Sequence, residues 1–177
     1  SEMCIRDSAI TNHGNMNSVP HMVQHVKKLR KEGKEIKPIF GVEAYFIPSL
    51  DEWRDEYEKI KESKRNKSLL KKEISATIIE DEARKSKNIL NRRRHLVLLA
   101  QNQTGLDNIF KLVSQSYKPG NFYRFPRIDY DLLRIHNEGI IASSACLGGI
   151  YAGDLWENLD NGDEAILNAM RKTTENM

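Results

Sequence analysis

The run IKPIFGVEAYFIP, residues 36–48, limits the fold more than any other stretch, because it is rich in β-branched and aromatic residues and closed at each end by a proline. Such continuity predicts a buried strand. HLVLLA, residues 95–100, is a second run of the same kind, and EGIIASSACLGG, residues 138–149, supplies a third short strand leading into a loop of small residues. Helical patterns alternate with these runs. Val19, Met22, Val23, Val26 and Leu29 follow the i, i+3, i+4, i+7 spacing of one buried face, with Ser18 placed as cap and Pro20 in the first turn. Leu106, Ile109, Phe110, Val113 and Tyr117 repeat that spacing after Thr104. Strand and helix in alternation predict an α/β architecture, and unbroken apolar strands predict a parallel sheet covered on both faces.

Between Pro48 and Gly105 there is neither glycine nor proline, and 24 of the 44 residues from 51 to 94 are charged. This segment reads as a helical insert, residues 49–94. Ser49 and Glu52 make a capping box, Leu50, Trp53, Tyr57 and Ile60 form one apolar stripe, and Leu70, Ile74 and Ile78 form a second beyond a polar break. Two narrow stripes suit a charged helical hairpin packed on itself, outside the main fold. Its lysines and arginines read as a solvated face or as a surface for nucleic acid or a partner. The run Arg92, Arg93, Arg94 reads equally as a basic patch or as the last turn of a helix, where cations complement the dipole.

A net charge of +3 with acids and bases interleaved argues little about nucleic acid. Cys4 and Cys146 alone cannot build a disulfide framework. No run of about 18 apolar residues and no charged-then-apolar leader occurs, so the expectation is a soluble cytoplasmic protein with no membrane partner. SEMCIRDS, residues 1–8, has no periodic pattern and resembles translated adapter sequence, which sets 1–8 aside as a non-native segment and leaves 9–177 as the domain. The helical pattern through Ala165, Ile166, Ala169 and Met170 then stops without a cap, as in an internal fragment.

Glu43 interrupts an apolar strand, and a buried carboxylate needs a Lys or Arg, a shifted pKa or a metal. His13 stands where an apolar run meets a helix, followed by Gly14, a position suited to a ligand residue or to a structural histidine. His95 opens one strand and Cys146 closes another. Together, two imidazoles, a carboxylate and a thiol beside buried strands make a donor set suited to Zn²⁺ or Mn²⁺. His95 at the start of its strand fits poorly with sites that gather at strand C-termini. Walker loops, nucleophile elbows and dinucleotide fingerprints do not occur. NFYRFPRIDYDLL, residues 121–133, mixes Arg124 and Arg127 with aromatics and reads as a phosphate- and base-contacting stretch or as a packed loop.

AITNHGNM, IKPIFGVEAYF, HLVLLAQNQTGLDNIFKLVSQSY, FPRIDYDLL and IIASSACLGG occur in that order. They resemble the blocks of the PHP (polymerase and histidinol phosphatase) domain at the N-terminus of bacterial and phage-type DNA polymerase III alpha subunits. The resemblance implies part of a distorted (β/α)7 barrel that holds up to three divalent metals and hydrolyses phosphoesters, such as a DNA 3′ end or pyrophosphate. Its metal ligands fall on His13, Glu43, His95 and Cys146. Asn12 stands where the family usually has Asp, behind the ligands, and keeps an acceptor without the charge. Arg127 is the candidate for phosphate contact. An H-x-H pair with a following acid is expected before His13, and a D-x-H pair beyond Met177. In the intact protein the resemblance implies a DNA-directed DNA polymerase using Mg²⁺ in other domains, with DNA, a proofreading exonuclease and a sliding clamp as partners. A scaffold domain that supports the polymerase and docks the exonuclease is one alternative, and a free-standing PHP phosphatase another.

Overall fold

The structure, a computed structural model, describes residues 7–69 and 91–177. Among the described residues the strands are β1 (Asp7–His13), β2 (Lys37–Phe46), β3 (Arg94–Ala100), the short pair β4 (Phe122–Tyr123) and β5 (Phe125–Pro126), and β6 (Ile140–Ser143). The helices are α1 (Val19–Lys31), α2 (Leu50–Leu69), α3 (Gln103–Ser116), α4 (Tyr130–Ile135), α5 (Ile150–Asn158) and α6 (Asp163–Asn176), with a 3₁₀ turn at Leu159–Asn161 before the last. The chain is mixed α/β, and one sheet runs in the order β1-β2-β3-β6.

That sheet is not the parallel one expected. β1 and β2 are parallel, but β2 with β3 and β3 with β6 are antiparallel. An apolar run reports burial and carries no information on strand direction, which is where the expectation failed. Nor are both faces equally covered. Val42, Ala44, Phe46, Leu96 and Leu98 are all buried on one face, under Ile109 and Leu112 of α3, Val19 of α1 and Ile150 of α5. Each of these side chains other than that of Ala44 contributes about 1.5–3 kcal/mol. The alternate residues Glu43, Tyr45, His95 and Val97 point to the other, partly open face.

Asp7 and Ser8 pair with Lys37 and Pro38, so β1 starts two residues ahead of the expected boundary at Ala9. Residues 1–6 lie outside the described residues. Ser18 precedes α1 but makes no capping hydrogen bond, and its hydroxyl accepts from Asn12 instead. In α3, Ile109 and Leu112 are fully buried whereas Phe110, and Tyr117 just past its end, remain exposed.

The insert starts as expected, with Ser49 Oγ accepting from Glu52 N at 3.2 Å. Its first stripe packs on the main fold. Leu50 and Trp53 are buried in a small cluster with Ile47, flanked by Tyr57, Ile60, Tyr123 and Leu132. The second stripe, Leu70, Ile74 and Ile78, lies outside the described residues. Arg94, expected to end the insert, belongs to β3 and pairs with Asp154 and Glu157. Burial alone would lower its pKa, but the hydrogen bonds and charges of those two acids outweigh it and hold Arg94 above its ordinary value.

Candidate metal centre

His13 is the last residue of β1 and sits in register with Glu43 of β2. Because β3 is antiparallel to both, its first residues come to the same end of the sheet as their last ones. His95 is opposite Tyr45, two residues beyond Glu43 and on the same face. The reversal removes the difficulty of a ligand at a strand start, because the N-terminal end of β3 is the C-terminal end of β1 and β2. Glu43 Oε2 lies 3.4 Å from His13 Nε2, and Oε1 lies against His95 Nδ1. One ligand atom from each of the three residues falls within 4.8 Å of the others. The imidazole rings meet edge to face with centroids 5.8 Å apart, and Tyr45 sets its ring edge against His95 at 5.5 Å.

Backbone contacts hold this end of the sheet. Gly14 N donates to Glu43 O at 2.8 Å, extending the β1–β2 ladder one step past His13. Gly14 has φ +67, and a Cβ there would lie 2.9 Å from the Pro126 ring and 3.0 Å from the Tyr45 ring. Only glycine fits that position without moving a ring that touches His95. On the β3 side, His95 N donates to Gly148 O at 2.8 Å, which anchors the loop carrying Cys146. Cys146 is exposed, and its Sγ sits 3.6 Å from His95 Nδ1 and accepts from Gly148 N at 3.4 Å. Ala145 beside it adopts φ +61, a left-handed conformation uncommon for a residue with a Cβ.

The fit of a metal can be judged from Glu43. Its side chain is 15% exposed, and Oε1 is shielded and accepts no well-directed hydrogen bond even though His95 Nδ1 is close. A carboxylate oxygen in that state is short of a cation. Among the described residues its ion pairs are with two imidazoles and not with a lysine or arginine. Nitrogen and oxygen donors of this kind suit borderline divalent metals. His13, Glu43 and His95 could hold one, with Cys146 alongside as a thiol donor on the His95 side.

Two expected site residues lie elsewhere. The Asn12 side chain is on the opposite face of β1 from His13 and donates to Ser18 Oγ at 2.8 Å, so it fastens the turn into α1. Arg127 is fully buried. It donates to the carbonyls of Tyr123, Phe125 and Arg92 and stacks over Trp53 at 4.6 Å. Burial, then the nearby charge of Arg93, lowers its pKa to about 10. A guanidinium committed in this way holds the loop and is not open to a phosphate.

Other residues escaped sequence reading. Asp129 accepts from Leu132 N at 3.0 Å with one oxygen and from Leu50 N at 2.9 Å with the other, capping α4 while tying down the start of α2. An Asp three residues ahead of LL was a visible cap signal, but its second partner, 79 residues away, was not. Tyr45 read only as one more strand residue, and Arg93 only as part of the basic run 92–94.

The model of the PHP domain matches residues 1–175. The chain belongs to the PHP domain family. Among curated proteins, this PHP chain is similar to the DNA polymerase III subunit alpha of Deinococcus radiodurans, 34% identical over 79% of the chain and 8% of that protein. It is also similar to the same subunit from Helicobacter pylori, 36% identical over 84% of the chain and 9% of the relative. With the subunit from Borreliella burgdorferi the identity is 37% over 80% of the chain and 9% of the relative. The PHP chain thus spans less than a tenth of the length of these relatives.

Proposed function

We propose that this PHP domain is a metal-dependent phosphoesterase module of a DNA polymerase III alpha subunit. His13, Glu43 and His95 hold a divalent metal, Zn²⁺ or Mn²⁺, with Cys146 as a further ligand. The observation that carries the reading is the shielded, unbonded Glu43 oxygen set between two imidazoles at the open end of the sheet. The four strands form one part of a (β/α)7 barrel, with the face that bears these residues turned inward. When bound, the metal supplies Lewis-acid polarisation of a phosphoryl oxygen. Glu43 supplies the negative charge that retains it. Tyr45 and the His95–Gly148 backbone bond fix the His95 ring, and the Gly14 turn fixes where β1 stops. The substrate class is a phosphodiester at a DNA 3′ end. Nucleotidyl transfer with Mg²⁺ belongs to other domains of such a polymerase, and DNA, a proofreading exonuclease and a sliding clamp are the partners.

The test titrates Zn²⁺ and Mn²⁺ into the metal-free protein by calorimetry and follows release of the terminal nucleotide from an end-labelled oligonucleotide. Glu43→Gln should weaken metal binding at least tenfold and abolish release. Metal binding that survives Glu43→Gln would overturn the site. Tight binding with no nucleotide release would leave the site standing and assign the domain the scaffold role.

A further inference from the structure

Arg93 is a cation set beside the site. Its guanidinium lies 3.7 Å from the centre of the Phe125 ring and 5.3 Å from that of Tyr45. Nη1 donates to Asn91 O at 2.9 Å, while Nε is shielded and has no acceptor. Among the described residues, no carboxylate forms a salt bridge with it. Arg94, its neighbour in sequence, is matched by two acids, and Arg54, Arg134 and Lys61 each have one. A second cation, Arg127, stands near enough for the two to repel. Arg93 itself is half-buried.

The aromatic shelf fixes where this charge points. Tyr45 touches Arg93 with one part of its ring and the His95 ring with another, so the guanidinium lies no more than about 11 Å from His95, the two separations laid end to end. Phe125 packs on Tyr45 at 5.2 Å and pins the shelf from behind. An arginine stacked this way loses little further freedom on forming hydrogen bonds, because its plane is already set. Successive nucleotides along one strand are separated by a few ångströms of rise, so a polynucleotide with one phosphate at the metal ligands brings a flanking phosphate, one or two steps on, to Arg93.

We infer that Arg93, held on the Tyr45–Phe125 shelf, is a positioning residue that binds a flanking phosphate of a single-stranded polynucleotide and so selects a strand over a small phosphoester. The assignment rests on the phosphoesterase reading of the neighbouring site for its purpose, but not for its measurement. Binding of a fluorescein-labelled oligothymidylate to the metal-free protein is followed by anisotropy from low to moderate salt. Arg93→Gln should weaken binding about tenfold and reduce the slope of log K against log salt by about 0.7, the loss of one phosphate contact. Arg93→Lys, which keeps the charge but not the stack, should retain that slope. With metal present, Arg93→Gln should raise KM for the oligonucleotide and leave hydrolysis of bis(p-nitrophenyl) phosphate unchanged, since that ester has no flanking phosphate. An unchanged salt slope in Arg93→Gln, no binding by the wild type at low salt, or equal loss on both substrates would each overturn the assignment. Failure of Glu43→Gln to affect hydrolysis would sink the metal site alone and leave the anisotropy result to judge Arg93.

Discussion

Replacing Arg127 with methionine asks whether this buried cation holds the fold or serves a ligand. Methionine keeps most of the aliphatic volume and removes the charge. The guanidinium donates to the carbonyls of Arg92, Tyr123 and Phe125 and covers the face of Trp53. Hydrogen bonds from a charged donor are worth about 1.5–3 kcal/mol each, so these three amount to roughly 5–9 kcal/mol. Against this stands the cost of burying the charge. The fall from the ordinary arginine value to about 10, caused first by burial and then by Arg93, corresponds to roughly 3 kcal/mol. The balance is a net loss of about 2–6 kcal/mol, a large share of the 5–15 kcal/mol typical of a domain. Urea denaturation followed by tryptophan fluorescence should show the unfolding free energy in water falling by that amount, and the midpoint with it, at an unchanged slope. The alkaline limb gives a second check. Because the folded pKa lies below the unfolded one, the unfolded chain binds more protons as pH rises through about 10, so this residue adds stability above that value. The difference between wild type and Arg127→Met should widen there. An unchanged midpoint together with weaker oligonucleotide binding would refute the structural reading and return Arg127 to ligand contact.

Two further outcomes follow from the same geometry. Gly14→Ala places a methyl group against Pro126 and Tyr45 in a left-handed backbone. It should cost about 1–2 kcal/mol for conformation alone, and should weaken metal binding as Tyr45 shifts against His95, read by thermal melting and by the same calorimetric titration. His136 has its pKa lowered, by burial and then by the charge of Lys111. The unfolded chain therefore takes up this proton first as pH drops below about 6.5, and the stability tied to neutral His136 is lost as pH falls through the lower folded value. His136→Asn should flatten that segment of the stability profile in denaturant titrations at stepped pH.

Much of the site could be read in the chain because burial leaves a compositional trace. Glu43 in IFGVEAYFI is conspicuous for being charged where its neighbours are apolar, and His13 and His95 flank the same kind of run. Strand direction leaves no such trace, so a mixed sheet was taken for a parallel one and His95 seemed to stand at the wrong end. Arg127 was misjudged for a related reason. An arginine among aromatics has the same composition whether it reaches outward to a phosphate or inward to carbonyls, and only the loop between α3 and α4 decides. Asp129 was half legible, since a cap on its own helix is a local pattern while its bond to Leu50 depends on the whole fold. Arg93 was visible only as part of a basic run, and what distinguishes it from Arg94 is which neighbours carry acids.

The pairing of β2 with β3 joins Phe46 directly to Arg94, so the charged insert is the closing loop of an antiparallel pair whose ends are fixed. Closure entropy grows only with the logarithm of loop length, and each doubling adds about 0.6 kcal/mol. Glu43 and His95 are therefore held together at nearly the same cost whether that connection is short or several times longer. The constraint falls on the first turns of α2, where Leu50 and Trp53 are buried and Asp129 holds the backbone, and on the step from Arg94 into His95. Length between those anchors is thermodynamically close to silent, which leaves the insert free to vary in size without disturbing the centre.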